Sequence, residues 1–249
     1  MGRIKMNVFE KINDMIPDSY TRNARWYPTV LSTLPVSVLL AIIVTRYLNV
    51  QGYELLSDML AVIVLLPFAA CAAIYMLAGL VRDMGKQLEN REFKKRTSLP
   101  TTEFLLWKDN ELSNELKADI RDAITTDFGK VLLSPTEEMS DEGRARRLII
   151  EAVDLIRPRV KDGVRLLQYN TRYGFWRNFL ASAKNIGIPS SLVGIFLGLC
   201  WLDNRACVAI ESILLIIYLL LTMRTSAMMK WYGDEYARVL FSEYLEQRK

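Results

Sequence analysis

The chain has 249 residues, 51% hydrophobic and 24% charged, with a net charge of +4 and no histidine. So small a charge does not imply a nucleic-acid partner. The missing histidine removes the commonest general base, the commonest metal ligand and every Ser-His or Cys-His nucleophile pair.

The first 25 residues are basic, with Arg3, Lys5, Lys11, Arg22 and Arg25 against three acids. Ile4, Val8, Ile12 and Ile16 recur every four residues and form one apolar stripe on a short helix ended by Pro17. That stripe suits either the membrane interface or the surface of a folded domain, and no secretory signal is evident. Trp26–Thr45 follows as a first uncharged span of twenty residues, with Trp26 and Tyr27 at the level that aromatic belts occupy. Pro35 lies within it, and Thr33 and Ser37 are placed to satisfy backbone carbonyls that the proline frees. Met59–Val81 is the longest uncharged run, twenty-three residues between Asp58 and Arg82. A hydrocarbon core roughly 30 Å thick needs about 20 helical residues to cross it, so this run reads as a second span.

Residues 82–184 have the size of a small domain and read as helical. Thr101 or Thr102 is expected to cap a short helix, and Ser113 to cap a longer one ending near Gly129. Ser134-Pro135 breaks the chain. Ser140 then opens a helix with Leu148, Ile149, Ala152, Val153 and Ile156 on one face, interrupted by Pro158. A last helix runs from about Lys161 towards the membrane. Charge is split: residues 109–142 hold ten acids and three bases, residues 144–177 nine bases and three acids. The halves are expected chiefly to pair with each other. The functional alternative is an anion or partner site built from Arg144, Arg146, Arg147, Arg157, Arg159 and Arg165, since arginine's planar fork suits phosphate or carboxylate. Its ligand would be a nucleotide, a lipid headgroup or an acidic protein partner. Glu137, Glu138, Asp141 and Glu142 read as a solvated helix start rather than a metal site.

Asn185–Leu202 is a third span, in which Ser190, Gly194 and Gly198 recur every four residues and provide a groove for close helix packing. The fourth, Ala206–Met223, contains one acid, Glu211. It either snorkels outward or pairs with Arg205, or it lines the mouth of a cation path in a ring of subunits. The stripe Tyr232, Tyr236, Leu240 and Tyr244 lies beyond the span. It is expected to pack on the domain, a neighbouring subunit or the membrane surface. Cys71, Cys200 and Cys207 sit in apolar or membrane-edge stretches and read as small hydrophobes. No metal, cofactor or catalytic residue is expected.

Basic residues number five before the first span, twenty in residues 82–184 and five after the last, with one in each short loop. The positive-inside rule then places both termini and the middle segment in the cytoplasm. The expected architecture is an all-α integral membrane protein: a segment 1–25, a hairpin 26–81, a cytoplasmic helical domain 82–184, a second hairpin 185–223 and a C-terminal helix 224–249.

Two motifs, Leu99-Pro100-Thr101-Thr102-Glu103 and Tyr173-Gly174-Phe175-Trp176-Arg177-Asn178, resemble those of a family of bacterial four-span inner-membrane proteins. The likeness covers roughly residues 99–200. It implies a bacterial inner-membrane location and a helical cytoplasmic domain before a span, and it carries no activity. Tyr173, Trp176 and Arg177, with Trp26, are expected to anchor the chain at the headgroup level.

The sequence therefore suggests a non-enzymatic homo-oligomer among membrane lipids. Its domain would sense a ligand or partner and open a pore or perturb the bilayer, by analogy with bacterial anti-phage effectors. The alternative is a scaffold that recruits a cytoplasmic effector through its charged domain.

Overall fold

The computed structural model describes residues 18–51 and 56–248, with side chains for 18–46 and 73–248. The stripe Ile4, Val8, Ile12 and Ile16 lies outside the described residues, as do most side chains of Met59–Val81. All regular structure among the described residues is helical. Helix α1 is Ser19–Ser32, α2 Leu34–Gln51, α3 Leu56–Glu92, α4 Pro100–Glu103, α5 Asn114–Phe128, α6 Pro135–Ser140 and α7 Glu142–Arg159. Helix α8 is Val164–Cys200, widened to a π-helical turn over Ala183–Gly187, and α9 Arg205–Met223 leads into α10 Thr225–Glu246.

Two helices, α8 and α9, are long and apolar enough to cross a membrane, or three spans result if the bent pair α1–α2 counts as one. These mark the chain as a membrane protein. The outward faces agree: Leu192, Phe196, Ile213, Ile216 and Leu220 are all more than half exposed, as residues that face lipid should be. The α1–α2 pair is not straight. It bends by 50° between Ser32 and Leu34. Pro35 lacks the N–H that would bond the Leu31 carbonyl, and that carbonyl instead accepts the Tyr218 hydroxyl of α9 at 2.6 Å. Thr33 and Ser37 do not serve the freed carbonyl; their hydroxyls donate to Thr29 and Thr33. Tyr218 reaches this position across Gly187, where a Cβ would stand 2.9 Å from its ring.

The charged domain has one core, in which Ile120 and Ile124 of α5 meet Ile149, Val153 and Ile156 of α7. Leu240 and Tyr244 of α10 complete it with Tyr236 packed against it, so the C-terminal helix is part of the domain, while Tyr232 of the same stripe packs on a second cluster beside Trp176. Helix α5 begins at the Ser113 cap and ends at Gly129, whose φ of 64° is the left-handed conformation that glycine adopts freely. Other caps differ from expectation. Leu99 holds the cap position of α4 and Pro100 its first turn, where the missing N–H needs no partner, while Thr101 and Thr102 are buried. Asp141, not Ser140, caps α7 by accepting the Arg144 N–H at 2.8 Å, because the Ser140 hydroxyl is turned back to the Glu137 carbonyl. Pro158 sits in the last turn of α7, which runs on to Arg159.

The expectation of a solvated acidic run fails at one residue. Glu138 is not solvated but 4% exposed. It accepts the Trp107 N–H at 2.6 Å and pairs with Arg121 at 3.1 Å. The Arg121 guanidinium also stacks over the Trp107 ring and donates to the Leu133 and Leu105 carbonyls. Lys117, fully buried beside it, donates to the carbonyls of Leu106 and Asp109. Three charged side chains thereby satisfy the polar backbone of the irregular stretch after α4, which has no helix ladder to do so.

Candidate functional site

Two places in the fold concentrate polar chemistry in unusual surroundings. The first is a cavity of about 530 Å³ where α3, α7, α8 and α10 converge. Its walls include Glu89 of α3, Arg157 of α7, Lys161 in the α7–α8 turn, Asn170, Tyr173 and Arg177 of α8, and Tyr236 of α10. The helices place these side chains for reasons of packing. Tyr173 stacks on Tyr236, and one turn further along α8 Trp176 stacks on Tyr232, so an aromatic ladder joins α8 to α10. Arg177 pairs with Glu89 at 2.6 Å, both largely shielded from water. Next to it Asn178 donates to the Ala24 carbonyl at 2.6 Å, tying α1 to the same helix.

Electrostatically the cavity is positive, with three cationic side chains against a single acid that Arg177 already engages. Arg157 reaches Asp154 at 3.5 Å on the outside. Inside, neither its buried Nε nor the buried Tyr173 hydroxyl makes a well-formed hydrogen bond. Burial pushes the Tyr236 phenol above its usual range, and the neighbouring Arg157 partly offsets the shift.

The second place is the groove between α8 and α9. Glu211 is fully buried, and its carboxyl group has no cationic partner and no well-formed hydrogen bond among the described residues. A Cβ on Gly194 would come within 2.7 Å of the Glu211 carboxyl carbon, so the missing side chain makes room for the acid. Gly198 receives Val208 in the same way. The glycine groove therefore meets a helix of its own chain. Ser190 donates to the Ile186 carbonyl, while the buried Ser191 hydroxyl faces the Glu211 carboxyl group. Glu211 neither snorkels outward nor pairs with Arg205, since the side chain is wedged into the groove.

Of the six arginines expected to form one anion site, only Arg157 reaches the cavity. Arg146 is held by Glu103 at 2.7 Å and Glu142 at 2.8 Å, Arg159 by Asp127 and Arg165 by Glu246, while Arg144 and Arg147 stay exposed on α7. Tyr173, Trp176 and Arg177 turn inward to α10 and α3 instead of outward to headgroups, because the ring stacks and the Glu89 pair hold them there. Trp26 is half-buried at the start of the first span. Sequence reasoning missed Glu89, Lys161 and Asn170, and it noted Tyr236 only as one of a stripe. The one signal for Glu89 was its place on the helical continuation of a span. Among the described residues, no three His, Cys, Asp or Glu side chains converge as a metal site would require. Comparisons with protein-family models, curated proteins and solved structures return no match.

Proposed function

We propose that this chain is a non-enzymatic membrane sensor-effector, in which a cytoplasmic helical domain binds an anionic ligand and acts on the membrane part. The reading takes the chain as four spans in two hairpins, with both termini in the cytoplasm of a bacterium and the inner membrane as its site. The effector is a homo-oligomer that opens a pore or disturbs the bilayer, the class to which anti-phage membrane effectors belong. The observation that carries it is the sharing of helices. Two walls of the cavity, α3 and α8, are 37 residues each and continue without a break into the apolar part. A ligand that draws Arg157 and Lys161 towards α8 thus acts directly on the helix that packs against Glu211. In the conformation described, Glu211 is shut off from any aqueous path, which corresponds to a closed state. An ion path past this acid requires α8 and α9 to separate.

Native mass spectrometry of the full chain, extracted from a bacterial host in mild detergent, tests the assembly. A closed homo-oligomer of several copies is expected. A single copy joined to a second protein would instead support a recruiting scaffold, a reading favoured by the exposure of Arg144 and Arg147 on α7. In that case Arg144→Glu with Arg147→Glu abolishes the complex and leaves membrane insertion intact.

A further inference from the structure

We infer that the cavity between α3, α7, α8 and α10 binds the phosphate group of a small ligand through Arg157, Lys161 and the Tyr173 hydroxyl. The inference deepens the sensor reading by naming the ligand's chemistry, but the binding stands or falls without any effect on the membrane.

Two buried donors define the point of attachment. Tyr173 is 8% exposed and lines the cavity, and its hydroxyl, with the Glu89 carboxylate as its neighbour, makes no well-formed hydrogen bond. The Arg157 Nε, also buried, has none either. A buried donor left unpaired costs about 1–3 kcal/mol, so native structures rarely leave two in one cavity unless something else completes them. An anionic acceptor bound in the cavity they line would serve both. Glu89 is the anion on hand, and Arg177 already holds it from the other side. Lys161 adds an exposed ammonium at the rim.

The charge type follows from the donor set. Arginine and lysine are the usual phosphate partners, and donors arriving from α7, the following turn and α8 approach from different directions. A phosphate offers three acceptor oxygens to such a set; a carboxylate offers two, in one plane. Leu166 and Leu167, with the faces of Tyr173 and Tyr236, leave an apolar wall for the rest of the ligand. The volume lies in the range of small-molecule sites.

Position along α8 favours a soluble source for that phosphate. Tyr173 lies eleven residues before Lys184, the last exposed base before the apolar stretch, or about 16 Å along the helix. A headgroup layer is only about 5–7 Å deep per leaflet, so the cavity opens above the bilayer's own phosphates.

Pyrophosphate, titrated against the full chain in nanodiscs of zwitterionic phosphatidylcholine, tests this directly, with tryptophan fluorescence as the readout because Trp176 lies one turn from Tyr173. Saturable binding is expected. It should weaken about tenfold in Arg157→Gln or Lys161→Gln, the size expected for losing a charge-assisted hydrogen bond. Tyr173→Phe, which keeps the ring stack on Tyr236, should weaken it several-fold. Lys161 is exposed and carries no packing, so its variant remains informative if Arg157→Gln fails to fold. A parallel titration in discs containing phosphatidylglycerol separates the sources. If those discs alone produce the signal, with the same dependence on Lys161 and Tyr173, the phosphate is a lipid's. No response to either probe overturns the proposal, as does binding that is unchanged in Lys161→Gln and Tyr173→Phe. If binding persists but bilayer conductance never responds to it, the site survives and the effector reading falls.

Discussion

Glu138 in the charged domain and Glu211 in the α8–α9 groove are both enclosed, at 4% and 0% exposure, yet their surroundings differ completely. Glu138 has a guanidinium and a backbone N–H within hydrogen-bonding distance. Glu211 has neither. The domain follows the rule for proteins folded in water, where a buried charge is retained with its partner and removing either one is expensive. The apolar hairpin follows a different rule: glycines remove side chains so that helices approach, and a polar group inside is a candidate for function rather than stability. The same contrast separates the ion pairs that hold most of the domain's arginines from the cavity, where Arg157 and Tyr173 keep unused donors.

The largest effect expected from breaking this contrast is at Glu138. Glu138→Ala leaves Arg121 buried beside an empty space and should destabilise the domain by about 3–5 kcal/mol, read as a lowered unfolding midpoint and new protease cleavage around residues 104–140. Gly194→Ala comes next, because its new Cβ strikes the Glu211 carboxyl group. Overpacking of this kind costs about 1–3 kcal/mol. The cost should largely vanish in the double variant with Glu211→Ala, a non-additivity that thermal unfolding in detergent detects. Glu211→Gln keeps the shape and removes the charge, so its stability should equal or exceed the native chain's by about 1 kcal/mol, the opposite sign to Glu138→Gln. A loss on both would erase the distinction between the regions.

The smallest effect concerns pH. Burial, reinforced by the hydrogen bond to Asp127, raises the Tyr244 phenol well above its ordinary range. The folded chain therefore keeps a proton that the unfolded chain gives up at about pH 10. Its contribution is complete below that pH and is lost as pH rises through the folded value. Tyr244→Phe should remove this alkaline slope, measured as unfolding midpoints between neutral pH and the alkaline limb.

What was legible in the sequence was whatever depends on neighbours along the chain. Hydropathy located Asn185–Leu202 and Ala206–Met223 close to the membrane part of α8 and to α9, and Ser113 and Gly129 bounded α5 as their capping chemistry requires. The glycine spacing identified a packing face. Its partner, Glu211, comes from the next helix, and no local pattern links the two. The carbonyl freed by Pro35 was expected to find a hydroxyl within its own helix. It finds one 187 residues away, because Gly187 opens a path for Tyr218. The cavity was least legible, since residues 89, 157, 173 and 236 meet only when four helices pack. Glu138 read as one of several solvated acids and Arg157 as one of several like arginines, and only burial and partners set each apart from its neighbours in the run.

On the proposed function, the cavity and the apolar α8–α9 pair work as one device along α3 and α8. Conductance of the full chain in planar bilayers, with pyrophosphate added on the side of the charged domain, tests it most directly. The expected result is a current that requires the ligand, disappears in Lys161→Gln and changes its cation dependence in Glu211→Gln. A current that is indifferent to both variants, or no current while pyrophosphate is bound, would contradict it.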